Sequence, residues 1–262
     1  MKRIITFLML LFIISKYSYS QDHGLWPVRI SGIHFGISNN KMRENLISKT
    51  IHRGFGLSVG IFIETIRYRT LQVYDLDLGV DFLKSRFESE TGSYKFNLSA
   101  TYKYLVRLSS TDSKTGFYLG PHLNINSLIT YFDNWDENHY YWLTGYSLGA
   151  GGRIQSSTSS GDEFKIDFDI PLTSLVSRPP ENLTVTQSGS EFTAILKQVN
   201  KDPVVTSLFQ HFYFNLRTGY SFRNLRRMEP TIFWEFIYLA NRQVELGKIT
   251  NINNLLGVEF NF

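Results

Sequence analysis

The chain has 262 residues, of which 19% are charged and 15% aromatic, and it contains no cysteine. The missing thiols exclude a disulfide framework, a lipid-modified N-terminal Cys and thiolate chemistry. The formal charge of +4 does not point to nucleic acid: Lys2, Arg3 and Lys16 lie in a segment expected to be removed, the rest is nearly balanced, and no basic cluster or matching motif accompanies it.

The first element is an export signal over 1–20. Lys2 and Arg3 give it a positive start, Ile4 to Ile14 is apolar apart from Thr6, and Ser18 and Ser20 place small residues at −3 and −1 before Gln21. Its apolar core is too short for a retained helix, which needs about 20 residues to cross a bilayer. No other stretch resembles a transmembrane helix. A membrane-bound form of this chain must therefore be a closed barrel, the other structure that satisfies every backbone polar group in lipid.

After the signal the dominant period is two, which predicts strands. Ten candidates follow in order: 24–37, 54–69, 71–86, 93–108, 115–130, 139–155, 162–175, 205–222, 230–242 and 251–262, with eight or twelve as the neighbouring counts. In the first, Pro27 and mixed faces around His34 blur the register. In the third, Tyr74, Leu76, Leu78, Val80 and Phe82 oppose Asp75, Asp77, Gly79 and Asp81. In the fourth, an apolar and aromatic face from Tyr94 to Leu108 opposes Lys95, Asn97, Ser99, Thr101, Lys103, Leu105 and Arg107. Successive side chains of a strand point to opposite sides, so each segment separates an oily surface from a wet or ion-paired one. The seventh repeats this, with Phe164, Ile166, Phe168 and Ile170 against Lys165, Asp167 and Asp169.

The connections alternate in length. Those near Thr70, 109–114, 156–161 and 223–229 are short and polar. Those at 38–53, 87–92, 131–138, 176–204 and 243–250 include the long ones, as expected for periplasmic turns and outer loops of a transmembrane barrel. The segment 176–204 is the longest outer loop, and residues 190–198 within it suit either a short helix or irregular chain. The expected organisation is thus a signal peptide over 1–20 and an all-β, antiparallel, up-and-down barrel over 21–262.

The chain ends on Leu256, Gly257, Val258, Glu259, Phe260, Asn261 and Phe262. With the signal before Gln21 and the alternating strands, this ending resembles Gram-negative outer-membrane β-barrel proteins, particularly those of the Bacteroidota type. The resemblance implies an outer-membrane location, contact with outer-membrane lipid and lipopolysaccharide, and an assembly signal in Val258, Phe260 and Phe262 read by the barrel-assembly machinery.

On this parity the lumen receives Asp75, Asp77 and Asp81, beside Lys95, Lys103 and Arg107 on the next strand, then Lys165, Asp167 and Asp169, and Arg217 with His211 and Asn215. Buried charges persist only when paired, so the expectation is an ionic plug in a narrow barrel. Two catalytic arrangements known on outer-membrane barrels have candidate residues here. Barrel hydrolases pair a Ser with a His, and here the candidates are His122, Ser147 and His211. Omptin proteases use Asp and His at the outer rim, where this chain has Asp133, Asp136, Glu137 and His139. Neither forms a matched constellation in sequence, and no His and carboxylate spacing makes a metal motif. No cofactor is expected. The leading expectation is a non-enzymatic, porin-like outer-membrane barrel with a role in surface recognition, envelope integrity or small-solute handling, and a membrane-embedded hydrolase of lipid or peptide is the alternative. A third is a soluble barrel with its apolar faces turned inward.

Overall fold

The computed structural model describes residues 27–44, 48–85, 92–111, 113–132, 139–179, 203–222, 229–243 and 247–262. The expected signal peptide, the rim residues Asp133, Asp136 and Glu137, and most of the loop 176–204 lie outside these residues. The strands are β1 (Val28–Glu44), β2 (Ser48–Ile66), β3 (Thr70–Ser85), β4 (Gly92–Arg107), β5 (Thr115–Phe132) and β6 (His139–Ser157). They continue with β7 (Glu163–Ser177), β8 (Val204–Ser207), β9 (His211–Ser221), β10 (Glu229–Gln243) and β11 (Gly247–Asn261). All pairings are antiparallel and join sequence neighbours, except that β8 and β9 both pair with β7; β1 pairs with β11, so the sheet closes. β8 and β9 lie end to end along β7 and form one stave. The result is a closed ten-stave barrel.

Three features depart from the sequence reading. The expected outer loop at 38–53 is mostly strand: β1 runs on to Glu44 and β2 begins at Ser48. The alternation was hidden because the outward residues there, Asn39, Lys41 and Arg43, are polar, so neither face reads as oily. The eighth candidate strand is broken between Ser207 and His211, where Phe209 stands almost fully exposed. β7 carries one extra residue, Leu172, because the register shifts between Leu148 and Gly149 opposite Thr173 and Pro171. Pro171 cannot donate to the ladder, and bulges are where strands tolerate proline.

The outer surface is apolar. Phe35, Ile37, Leu57, Leu78, Phe96 and Leu98 are exposed there, which removes the soluble barrel with inward apolar faces. Tyr74 stacks near Tyr102 at the end carrying both termini (4.8 Å between ring centroids), and Tyr94 meets Phe82 and Tyr131 at the other end (5.7 and 6.3 Å). Between these groups the outward residues of β3 are Leu76, Leu78 and Val80. An aliphatic belt between aromatic girdles is the exterior of an outer-membrane barrel, and a closed sheet leaves no unpaired edge in lipid.

The interior is layered. At the outer end Met42, Leu83, Leu128, Phe132, Leu143, Val176, Leu239 and Ile249 form an apolar lid. Near the periplasmic end Leu71, Val73 and Leu105 pack with Ile66 and Tyr118 into a smaller apolar floor. The charged residues lie between.

Candidate functional site

Side chains from β2, β4, β6 and β7 meet in a continuous ion network within the lumen. Arg153 and Asp167 are opposite residues of β6 and β7. Arg153 Nε donates to Asp167 Oδ1 (2.8 Å), and its Nη2 reaches Glu64 on β2 across the lumen (2.7 Å). Lys165 adds a second contact to Glu64 at 3.7 Å, and Lys103 binds Asp169 at 2.8 Å. Three cations thus meet three carboxylates, the pairing that buried charges require.

Higher on the barrel, Lys95 and Asp81 face each other across β4 and β3 and pair at 3.0 Å. Asn251 accepts from Lys95 (3.0 Å), while Asn40 and Asn97 donate to Asp81 (3.1 and 2.6 Å).

A second cluster, drawn from β1, β3, β9, β10 and β11, differs. Arg217 on β9 binds Glu259 (2.8 Å) and Asp75 (3.4 Å), and its guanidinium lies 3.9 Å over the Phe233 ring. Asn215 donates to Glu235 (2.7 Å). Asp77 makes a very short contact with the fully buried His34.

His34 is on β1 and Asp77 on β3, so their side chains must cross β2. They do so over Gly60, which is in register with both. A Cβ at Gly60 would sit 2.1 Å from His34 Nε2 and 2.6 Å from Asp77 Oδ1. The same arrangement recurs one turn of the pleat higher: Ser38 on β1 donates to Asp81 on β3 (2.5 Å) over Gly56, again in register with both. Strand glycines commonly mark close approach, and here they are windows that let β1 and β3 touch directly.

Of the residues expected in the lumen, Asp75, Asp77, Asp81, Lys95, Lys103, Lys165, Asp167, Asp169 and Arg217 lie inside, but mostly with other partners than those expected. Only Asp81 and Lys95 pair with the adjacent strand as anticipated. Lys103 faces Val73, not an Asp, and reaches across to β7. Arg107 does not join the network: at the periplasmic rim it donates to Ser109 Oγ (3.2 Å) and Ser113 O (3.0 Å), holding the turn after β4. Sequence reasoning overlooked His34, Glu64, Arg153, Glu235 and Glu259, although each sits at an inward parity position of its strand.

The catalytic candidates do not assemble. His122 and Ser147 both point inward from adjacent strands, but His122 faces Gly149 and Ser147 faces Asn124. Ser147 Oγ shares a hydrogen bond with Ser174 (2.7 Å), and no bond joins it to His122 among the described residues. His211 stands elsewhere, with Asn241 as its neighbour (3.3 Å), and Asn241 accepts in turn from Arg178 (3.1 Å). Nucleophilic catalysis needs the base within hydrogen-bond reach of the nucleophile. The side chain of His139 lies outside the described residues.

At the C-terminus, Val258 and Phe260 face outward on β11, and the Phe262 amide donates to Ser31 O (2.9 Å), so the last residue is stitched to β1 with its ring exposed.

No protein-family model and no curated protein matches this chain. Solved structures similar to it in outline include the translocator domain of the autotransporter NalP from Neisseria meningitidis (8% identity, TM-score 0.45, covering 100% of this chain and 98% of that one). The outer membrane protease OmpT from Escherichia coli is a second (8%, 0.48, 92% and 99%), and Neisserial surface protein A a third (10%, 0.35, 88% and 97%).

Proposed function

We propose that this chain is a non-enzymatic integral protein of the Gram-negative outer membrane, of the Bacteroidota type. In this reading it acts as a sealed barrel in surface recognition or envelope integrity, not as an open pore. The observation that carries the reading is the filled lumen: an apolar lid, an ionic belt and an apolar floor stacked along the axis. What remains between them is a polar cavity of about 110 Å³, bordered by Asp75, Lys103, Arg153, Arg217 and Glu235. That is room for several ordered waters or a hydrated ion. Its surroundings in this reading are outer-membrane lipid and lipopolysaccharide, and the barrel-assembly machinery inserts it by reading Val258, Phe260 and Phe262.

Planar-bilayer recording of the purified, refolded protein tests the reading. A sealed barrel gives a quiet baseline at moderate voltage. Large, steady, porin-like steps would overturn it and make solute passage the better account. Steady turnover of phospholipid or peptide, lost in His122→Ala, would instead establish the hydrolase.

A further inference from the structure

We propose that His34, Asp75 and Asp77 form a binding site for one first-row divalent transition-metal ion, of the Zn²⁺ or Mn²⁺ class, inside the lumen. This goes beyond the sealed-barrel reading and does not depend on whether the lumen conducts.

The first support is geometric. One ligand atom from each of the three side chains lies within 4.8 Å of the other two. The three come from two strands that are not neighbours, and the Gly60 window brings them together. Any side chain at 60 would occupy the space between His34 and Asp77.

The second support is an orphaned atom. Arg217 holds Asp75 through Oδ2 (3.4 Å), which leaves Oδ1 buried with no hydrogen-bond partner among the described residues. A buried carboxylate oxygen without a donor is costly, and this one belongs to a residue bordering the polar cavity. A metal ion would satisfy it, and cavity water would complete the coordination.

The third is charge. In this cluster Asp75, Asp77, Glu235 and Glu259 carry four potential negative charges, and Arg217 is the one permanent cation in contact with them among the described residues. Excess buried charge must be neutralised. A dication placed at His34, Asp75 and Asp77 removes most of the imbalance where it is greatest. The imidazole nitrogen in the set disfavours Mg²⁺ and Ca²⁺, which prefer all-oxygen shells, and suits metals that take nitrogen and carboxylate together.

The test is metal content. The barrel is stripped with chelator while unfolded and refolded in detergent with Zn²⁺ or Mn²⁺ present, since a sealed lumen loads during folding. After desalting, elemental analysis is expected to give about one metal per barrel, as one three-residue site implies, with excess Mg²⁺ failing to displace it. In His34→Gln and in the near-isosteric Asp75→Asn, retention after dialysis against a graded chelator should weaken by more than about tenfold. His211→Gln, outside the site, should leave it unchanged. A folded wild-type barrel that retains neither metal overturns the proposal, whatever the variants do. So does binding that persists undiminished in whichever of His34→Gln and Asp75→Asn folds.

Discussion

The two ion clusters of the lumen use the same residue types and balance them differently. In the one built from β2, β4, β6 and β7, Lys103, Arg153 and Lys165 answer Glu64, Asp167 and Asp169 one for one. In the other, Arg217 faces Asp75 and Glu259, with Asp77 and Glu235 left to a histidine and an amide. A balanced network has no need of anything from outside the chain and serves as filling. An unbalanced one is complete only with a proton or a cation added. A lumenal position therefore has different meanings in the two clusters, and pairing, not charge content, separates filling from a candidate site.

The largest expected effect lies in the balanced cluster. Arg153 bridges two carboxylates from β2 and β7, so Arg153→Met leaves Glu64 with only the longer Lys165 contact and Asp167 with Lys103 at 4.0 Å. Breaking a buried pair by removing one partner costs about 3–5 kcal/mol, read as a lowered urea midpoint in detergent or lipid. Adding Asp167→Asn should recover part of it. An Arg153→Met barrel of wild-type stability would mean that the cluster is not held by its ion pairs.

A second contrast sets the inside against the outside on β4. Leu98 faces lipid in the aliphatic belt, and Leu98→Arg is expected to cost about 2–4 kcal/mol near the bilayer midplane. Thr101 points inward, and it lies in register with Asp75 of the acidic cluster. Thr101→Arg should cost less, because the new cation meets unbalanced carboxylate. Equal losses at both positions would invert the assignment of faces.

These contrasts show what the sequence could and could not supply. Period-two alternation located nearly every stave, because lipid demands an unbroken apolar face. It fixed parity as well, which is why the nine lumenal charges fell on the right side. Partners were not legible. Asp77 and His34 are brought together by a glycine on the strand between them, and Lys103 ignores its adjacent strand to reach Asp169. Such contacts depend on which inward positions are empty. The parity rule would have reported Glu64, Arg153, Glu235 and Glu259 had it been applied to every strand. The apolar lid was hidden for another reason: at the outer ends of the strands Met42, Leu83 and Leu143 are oily and inward, which a rule assigning oil to lipid cannot express.

The glycine windows give a smaller effect, confined to the contacts between β1 and β3 that cross them. Gly60→Ala puts a methyl where His34 and Asp77 meet, and overpacking of that kind costs about 1–3 kcal/mol. Gly79 also points inward, but a Cβ there would find its nearest neighbour, Asn97, at 3.5 Å, an ordinary contact. Gly79→Ala should be neutral or slightly stabilising, because it restricts the unfolded chain. Thermal unfolding followed by gel mobility would compare the two, and matching losses would show that the window has no special role.

The smallest effect is expected at Ser147, and it bears on whether any part of this lumen reacts. Ser147 Oγ is 5% exposed as a residue and is engaged with Ser174 Oγ at 2.7 Å. His122 faces a glycine on the neighbouring strand, so the base that a serine nucleophile requires is not hydrogen-bonded to it. Ser147→Ala therefore removes one buried hydroxyl pair and leaves Ser174 to find another partner, worth about 1 kcal/mol. The stability change should match that of Ser174→Ala within error, since the two hydroxyls lose the same bond. Neither substitution should alter any turnover of phospholipid or peptide by the purified barrel. An activity abolished by Ser147→Ala but untouched by Ser174→Ala would separate the two hydroxyls chemically, and would require His122 to swing toward Ser147 when substrate binds.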